Sequence, residues 1–133
     1  MKQSDLIPTT DQITVLLVDD EDSVRETTQA MLQVAAFSVE TAEDGQAAIN
    51  RYLANERFNV VLLDMSMPRL SGPETMMRLK EIDPSVKVII STGFGLEDEA
   101  VVKVLKDGAK AAIQKPYRLM EIVSTIRAAA GSG

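Results

Sequence analysis

The chain has no cysteine, no histidine and no tryptophan, and aromatic residues make up 4% of its 133 positions. Without cysteine there is no disulfide framework and no thiol chemistry. Without histidine there is no Ser-His-Asp or Cys-His catalysis and no ordinary histidine-bearing zinc site. Acid–base or nucleophilic work must fall to carboxylates, lysines, tyrosines or hydroxyls. No apolar run is long enough to span a bilayer, and Met1-Lys2-Gln3-Ser4-Asp5 has no apolar signal core, so membrane insertion is not expected and a cytoplasmic location is. Positive charge is also in short supply. The net charge of −6 argues against direct binding of nucleic acid or anionic membrane.

What is present suits one soluble domain: 45% hydrophobic and 26% charged residues on a chain too short for two ordinary cores. Residues 1–12 are polar and proline-bearing and read as a flexible arm. Residues 131–133, Gly131-Ser132-Gly133, read as a flexible tail or linker. Between them, over 13–130, short apolar runs alternate with amphipathic stretches. Strands are expected over 13–18, 37–41, 59–63, 86–90 and 111–113. Helices are expected over 23–35 from the capping-box form of Ser23-Val24-Arg25-Glu26, and over 45–54 from Asp44 as cap. A third should open at Ser71-Gly72-Pro73-Glu74, a fourth should start near Glu97 and stop before Gly108, and a fifth should cover 117–129.

Five strands alternating with five helices predict a doubly wound parallel sheet, a three-layer α/β/α domain. Strands one, three and four are nearly all apolar and belong in the centre. Strand two alternates and strand five is short, which suits the edges. With right-handed crossovers these constraints give the flavodoxin-like order 2-1-3-4-5. The topological switch point then falls between strands one and three, where ligands bind in such sheets.

The chemistry collects at that edge. Val15-Leu16-Leu17-Val18 ends in Asp19-Asp20-Glu21-Asp22, Val60-Val61-Leu62-Leu63 ends in Asp64, and Ala111-Ala112-Ile113 leads to Lys115-Pro116. Taken alone, the acidic run is a solvated turn, Asp64 an ordinary strand end and Lys115 a surface lysine. Together they form a pocket whose mutually repelling carboxylates suit a hard divalent cation with oxygen ligands. A cation, a lysine and a carboxylate free to react point to phosphoryl transfer onto Asp64. Met65, Met67, Met76 and Met77 are expected to be packing residues. Gly93-Phe94-Gly95 lacks the Lys-Ser/Thr of a phosphate-binding loop. The charges of Glu97, Asp98, Glu99, Lys103 and Lys106 are expected on a solvated helix face.

Four motifs in order, Asp19-Asp20-Glu21, Asp64-Met65-Ser66-Met67-Pro68 with Gly72, Thr92-Gly93 and Lys115-Pro116-Tyr117, closely resemble those of the receiver domain of two-component response regulators. The stretch from Asp83 to Tyr117 looks most like receivers attached to hybrid sensor kinases. The resemblance implies that Asp64 is the phosphoacceptor in a phosphorelay. It also implies that Asp20, Asp64 and the Ser66 backbone carbonyl ligate Mg²⁺, with Mn²⁺ as a substitute, and that Asp19 acts mainly through bound water. Thr92 and Lys115 would contact the phosphoryl group, the Lys115–Pro116 bond would be cis, and Ser66 and Phe94 would tune dephosphorylation. Implied partners are a sensor histidine kinase or histidine phosphotransfer protein, and an effector reached through the face of helix four, strand five and helix five. A phosphorylation-dependent dimer belongs to the same set of expectations.

One departure stands out. Ala112 occupies the place, three residues before the lysine, where most receivers carry Tyr or Phe. Two rival functions stay open at this level. A haloacid-dehalogenase-like phosphohydrolase would also form an aspartyl-phosphate, but it usually has a second Asp where this chain has Ser66. A flavin mononucleotide binder would need a phosphate-cradling loop where this chain has the acidic Asp19 to Asp22 turn.

Overall fold

The computed structural model describes residues 12–131. The proposed arm lies, but for Gln12, outside the described residues. Five parallel strands, β1 (Thr14–Val18), β2 (Ser38–Ala42), β3 (Val60–Asp64), β4 (Val88–Thr92) and β5 (Ala111–Gln114), form one sheet of order β2-β1-β3-β4-β5. Helices α1 (Asp22–Val34), α2 (Gly45–Leu53), α3 (Gly72–Ile82), α4 (Glu99–Lys106) and α5 (Leu119–Gly131) connect and follow them.

The period of two along each strand divides the core into two layers. Leu16, Val18, Val61, Leu63, Val88 and Ile90 pack against Ile49 of α2, Met76 and Leu79 of α3 and Val104 of α4. Val15, Leu17, Val60, Leu62, Ile89 and Ile113 pack against Leu32 of α1 and Ile122 and Ile126 of α5. Burying each of these side chains contributes roughly 1.5–3 kcal/mol, which is why the three central strands read as nearly all apolar.

Local signals set most boundaries. Asp44 caps α2 by accepting from the Ala47 N–H at 2.8 Å. Ser71 and Glu74 form a complete capping box at α3, with Pro73 in the first turn. Gly108 follows α4 at φ +117°, a conformation open to glycine. Gly72 is fixed by a close approach, since a Cβ there would lie 2.4 Å from the Asp64 backbone oxygen.

Several boundaries differ from expectation. α1 starts at Asp22 with Glu21 as N-cap and no side-chain cap, so Ser23 lies inside the first turn and its capping box does not form. The reason is upstream: Asp19 Oδ1 accepts from the Glu21 N–H at 3.0 Å and closes the turn early. β4 runs two residues later than 86–90. Val86 donates to the Asp83 carbonyl in the turn after α3, while Ser91 and Thr92 are drawn into the sheet by pairing with β3 and β5. α4 begins at Glu99, with Asp98 accepting from the Ala100 N–H at 2.9 Å. α5 spans Leu119–Gly131, because the Tyr117 side chain is turned back to the sheet and the Ala128-Ala129-Ala130 run carries the helix onward. Met65 and Met76 are buried and Met67 packs on the core, whereas Met77 is exposed.

Candidate functional site

The parallel sheet places the carboxyl ends of β1, β3, β4 and β5 on one edge. Asp19 follows the last residue of β1, Asp64 and Thr92 end β3 and β4, and Lys115 follows β5. Asp64 continues the face of Val60 and Leu62. Asp19, Asp20 and Asp64 each offer a carboxylate oxygen within 4.8 Å of the others, Asp19 and Asp64 buried and Asp20 exposed at the mouth. Lys115 Nζ donates to Asp19 Oδ2 at 2.9 Å and to Asp64 Oδ1 at 3.3 Å. The Lys115–Pro116 peptide bond is cis, as expected.

Burial pushes the Asp64 carboxyl up to about 6; Lys115 pulls it down and Asp19 adds repulsion. Burial works against the Lys115 ammonium, but its bond to Asp19 and the charges of Asp64 and Asp19 outweigh it and hold the pKa above the ordinary lysine value. Three carboxylates and one ammonium leave a formal charge of −2 in the pocket when all are ionised. That excess, carried by oxygen donors, fits a divalent metal ion. The pocket is therefore a divalent-metal site by the chemistry of its donors.

The other expected site residues lie around this cluster. The Ser66 N–H points to Asp64 Oδ1 at the long distance of 3.5 Å, and the Ser66 side chain is exposed. Thr92 is fully buried, and its hydroxyl accepts from the Phe94 N–H at 2.9 Å instead of bonding to the cluster. Phe94 is 53% exposed on the loop after β4.

Two features escaped the sequence reading. Arg25 of α1 donates to the Asp19 backbone oxygen at 2.8 Å and to Asp22 Oδ1 at 2.6 Å, pinning the acidic turn. Its place one turn after the acidic run was the available signal. The second is a hydrogen bond between the Ser91 and Tyr117 hydroxyls, beneath the pocket. Burial raises the Tyr117 pKa, so its hydroxyl stays protonated. An apolar groove of about 560 Å³ flanks the pocket, lined by Val24, Thr27 and Met31 of α1 and by Lys115, Pro116 and Tyr117.

The family described as response regulator receiver domain matches residues 15–127. The chain belongs to that family. Receiver domains are signalling rather than catalytic domains, and this one is a phosphoacceptor domain of two-component signalling. It is 36% identical over 114 residues to the transcriptional regulatory protein CpxR homolog of Haemophilus influenzae, covering 86% of this chain and 48% of that protein. This receiver chain thus spans about half the length of the curated relatives it matches. Its fold is similar to a CheY-like receiver domain protein of Methanospirillum hungatei, with TM-score 0.80, 28% identity and coverage of 90% and 94% of the two chains. It is also similar to a chain in the CheX–CheY–BeF3–Mg complex of Borrelia burgdorferi, with TM-score 0.79, 28% identity and 87% coverage of each chain. No helix among the described residues is long and apolar enough to cross a membrane.

Proposed function

We propose that Asp64 is the residue phosphorylated and that Mg²⁺ is the ion its pocket takes. The observation that carries this reading is the meeting of Asp19, Asp20, Asp64 and Lys115 at the carboxyl edge of the sheet. Asp20 and Asp64, with the Ser66 backbone carbonyl, would hold the ion, and Asp19 would act mainly through its bound water. When bound, the ion neutralises the excess negative charge that otherwise repels a phosphoryl group.

The Asp64 carboxylate attacks the phosphorus of a phosphohistidine on a partner. The P–N bond breaks, the imidazole leaves with its electron pair and takes up a proton, and an acyl phosphate forms on Asp64. Lys115 exchanges its contact with Asp64 Oδ1 for a phosphoryl oxygen and remains tied to Asp19. Positioning and charge supply most of the rate. The donor is a sensor histidine kinase or histidine phosphotransfer protein, seated along the groove between α1 and Lys115-Pro116-Tyr117, whose apolar lining suits a helix.

Thr92 releases the Phe94 amide to meet the phosphoryl group, and the change passes to the α4–β5–α5 face. That face carries exposed Val102, Leu105, Leu119 and Met120 for an effector or a second copy. The domain works in the cytoplasm, on a response regulator or a hybrid kinase.

The test is intact mass after incubation with acetyl phosphate and Mg²⁺. Wild type gains one phosphoryl group and Asp64→Asn gains none. Full labelling of Asp64→Asn would overturn the assignment.

A further inference from the structure

Ser91 is 1% exposed in β4, on the sheet face it shares with Ile89. An alanine there and a phenylalanine at 117 would fill the same layer without polar atoms. Instead the buried Ser91 hydroxyl is paired, Oγ to Oη, with the hydroxyl of the half-buried Tyr117. A buried hydroxyl is costly unless it is paired, so the bond is directional in a way apolar packing is not.

Its location gives that direction a use. Ser91 is the register partner of Asp64, and its carbonyl accepts from the Met65 N–H at 2.8 Å. On its other side it holds Tyr117, two residues after Lys115. The Lys115 N–H donates to the neighbouring Thr92 carbonyl at 2.7 Å. The loop carrying the pocket's ammonium is therefore tied twice to the end of β4, at Thr92 through backbone and at Ser91 through a side chain. Ser91 is thus the common reference for both Asp64 and Lys115.

We propose that Ser91 and Tyr117 are positioning residues for phosphoryl transfer: their hydrogen bond sets where Lys115 Nζ stands relative to the Asp64 carboxylate. This rests on the assignment of Asp64 as phosphoacceptor. A small misplacement of a charge that must meet the transferring group lowers the rate without removing a ligand from the metal site.

The experiment measures phosphorylation by acetyl phosphate, and separately Mg²⁺ affinity, for wild type, Tyr117→Phe, Ser91→Ala and the double variant. Failure of wild type to label would refute the Asp64 assignment rather than this proposal. With wild type active, each single variant is expected to phosphorylate three- to tenfold more slowly with Mg²⁺ affinity unchanged. The double variant is expected to be no slower than the slower single, as for two halves of one interaction. Wild-type rates in both singles, multiplied losses in the double, or Mg²⁺ affinity falling in step with rate would each overturn the proposal. The last result would mean that the pair merely keeps the pocket folded.

Discussion

Leu62 and Asp64 stand two residues apart on β3, on the same face, and both are buried. Leu62 enters the layer between the sheet and helices α1 and α5, and its burial stabilises the fold. Asp64 enters the carboxyl-edge pocket, where burial and Asp19 oppose its charge and the Lys115 ammonium offsets only part of the cost. One strand thus holds a region selected for packing and a region that tolerates strain in its charges. The strained region is the one that can receive a cation and a phosphoryl group.

Replacing each residue should break the contrast in opposite directions. Leu62→Ala is expected to lower unfolding free energy by about 2–5 kcal/mol, read by urea denaturation, with Mg²⁺ affinity little changed in the folded fraction. Asp64→Asn is expected to raise stability at neutral pH by ~2–3 kcal/mol. The sign follows from proton binding. The folded protein holds the Asp64 proton to about pH 6, whereas the unfolded chain releases it near the usual carboxylate value of about 4. Between those values the folded state binds more protons, so stability falls as pH rises and then levels off above the folded value. The difference between wild type and Asp64→Asn, followed by denaturation from pH 3.5 to 7.5 without metal, isolates this contribution. A flat difference would mean that Asp64 is not held against its charge.

Mg²⁺ sharpens the same comparison. At a hundredfold excess over its dissociation constant a ligand specific to the folded state adds about 2.7 kcal/mol. Asp20→Ala is expected to remove most of that increment, measured as the Mg²⁺-dependent rise in melting temperature. An unchanged response would place the ion elsewhere. The smallest expected effect concerns the rim. Ser66 is short, and Phe94 offers no acceptor to orient an attacking water, so the phosphorylated form should decay slowly. Phe94→Glu with Ser66→Asn is expected to speed decay several-fold, followed by mass spectrometry after removal of the donor. Loss of the phosphoryl group from wild type within seconds, or no acceleration in the double variant, would contradict this role.

The sheet order and the core of the site were legible because they rest on strong local patterns. Nearly all-apolar runs mark β1, β3 and β4 as central, and Asp19, Asp20, Asp64 and Lys115 each lie at a strand end where composition changes abruptly. Asp44 and Ser71 were readable as caps because each bonds an amide three residues on, inside its own segment. Ser23 misleads because Asp19 already closes the turn before it, through an amide only two residues on, and leaves Glu21 as the cap. The pattern sets β4 two residues early because Ser91 and Thr92 look like a polar boundary. Their burial depends on β3 and β5 lying alongside, which no window of β4 contains. The Ser91–Tyr117 bond was illegible for the same reason, since it joins elements brought together only by the fold, whereas the Arg25 brace spans six residues and was within reach of the sequence.

The most direct measurement locates the acyl phosphate itself. Borohydride reduction of an aspartyl phosphate leaves homoserine, and the tryptic segment 58–69 contains Asp64 as its sole side-chain carboxylate. After labelling with acetyl phosphate and Mg²⁺, reduction and digestion are expected to yield that segment with homoserine at position 64 and no conversion at Asp19 or Asp20. Homoserine at any other position, with 58–69 unmodified, would contradict the account.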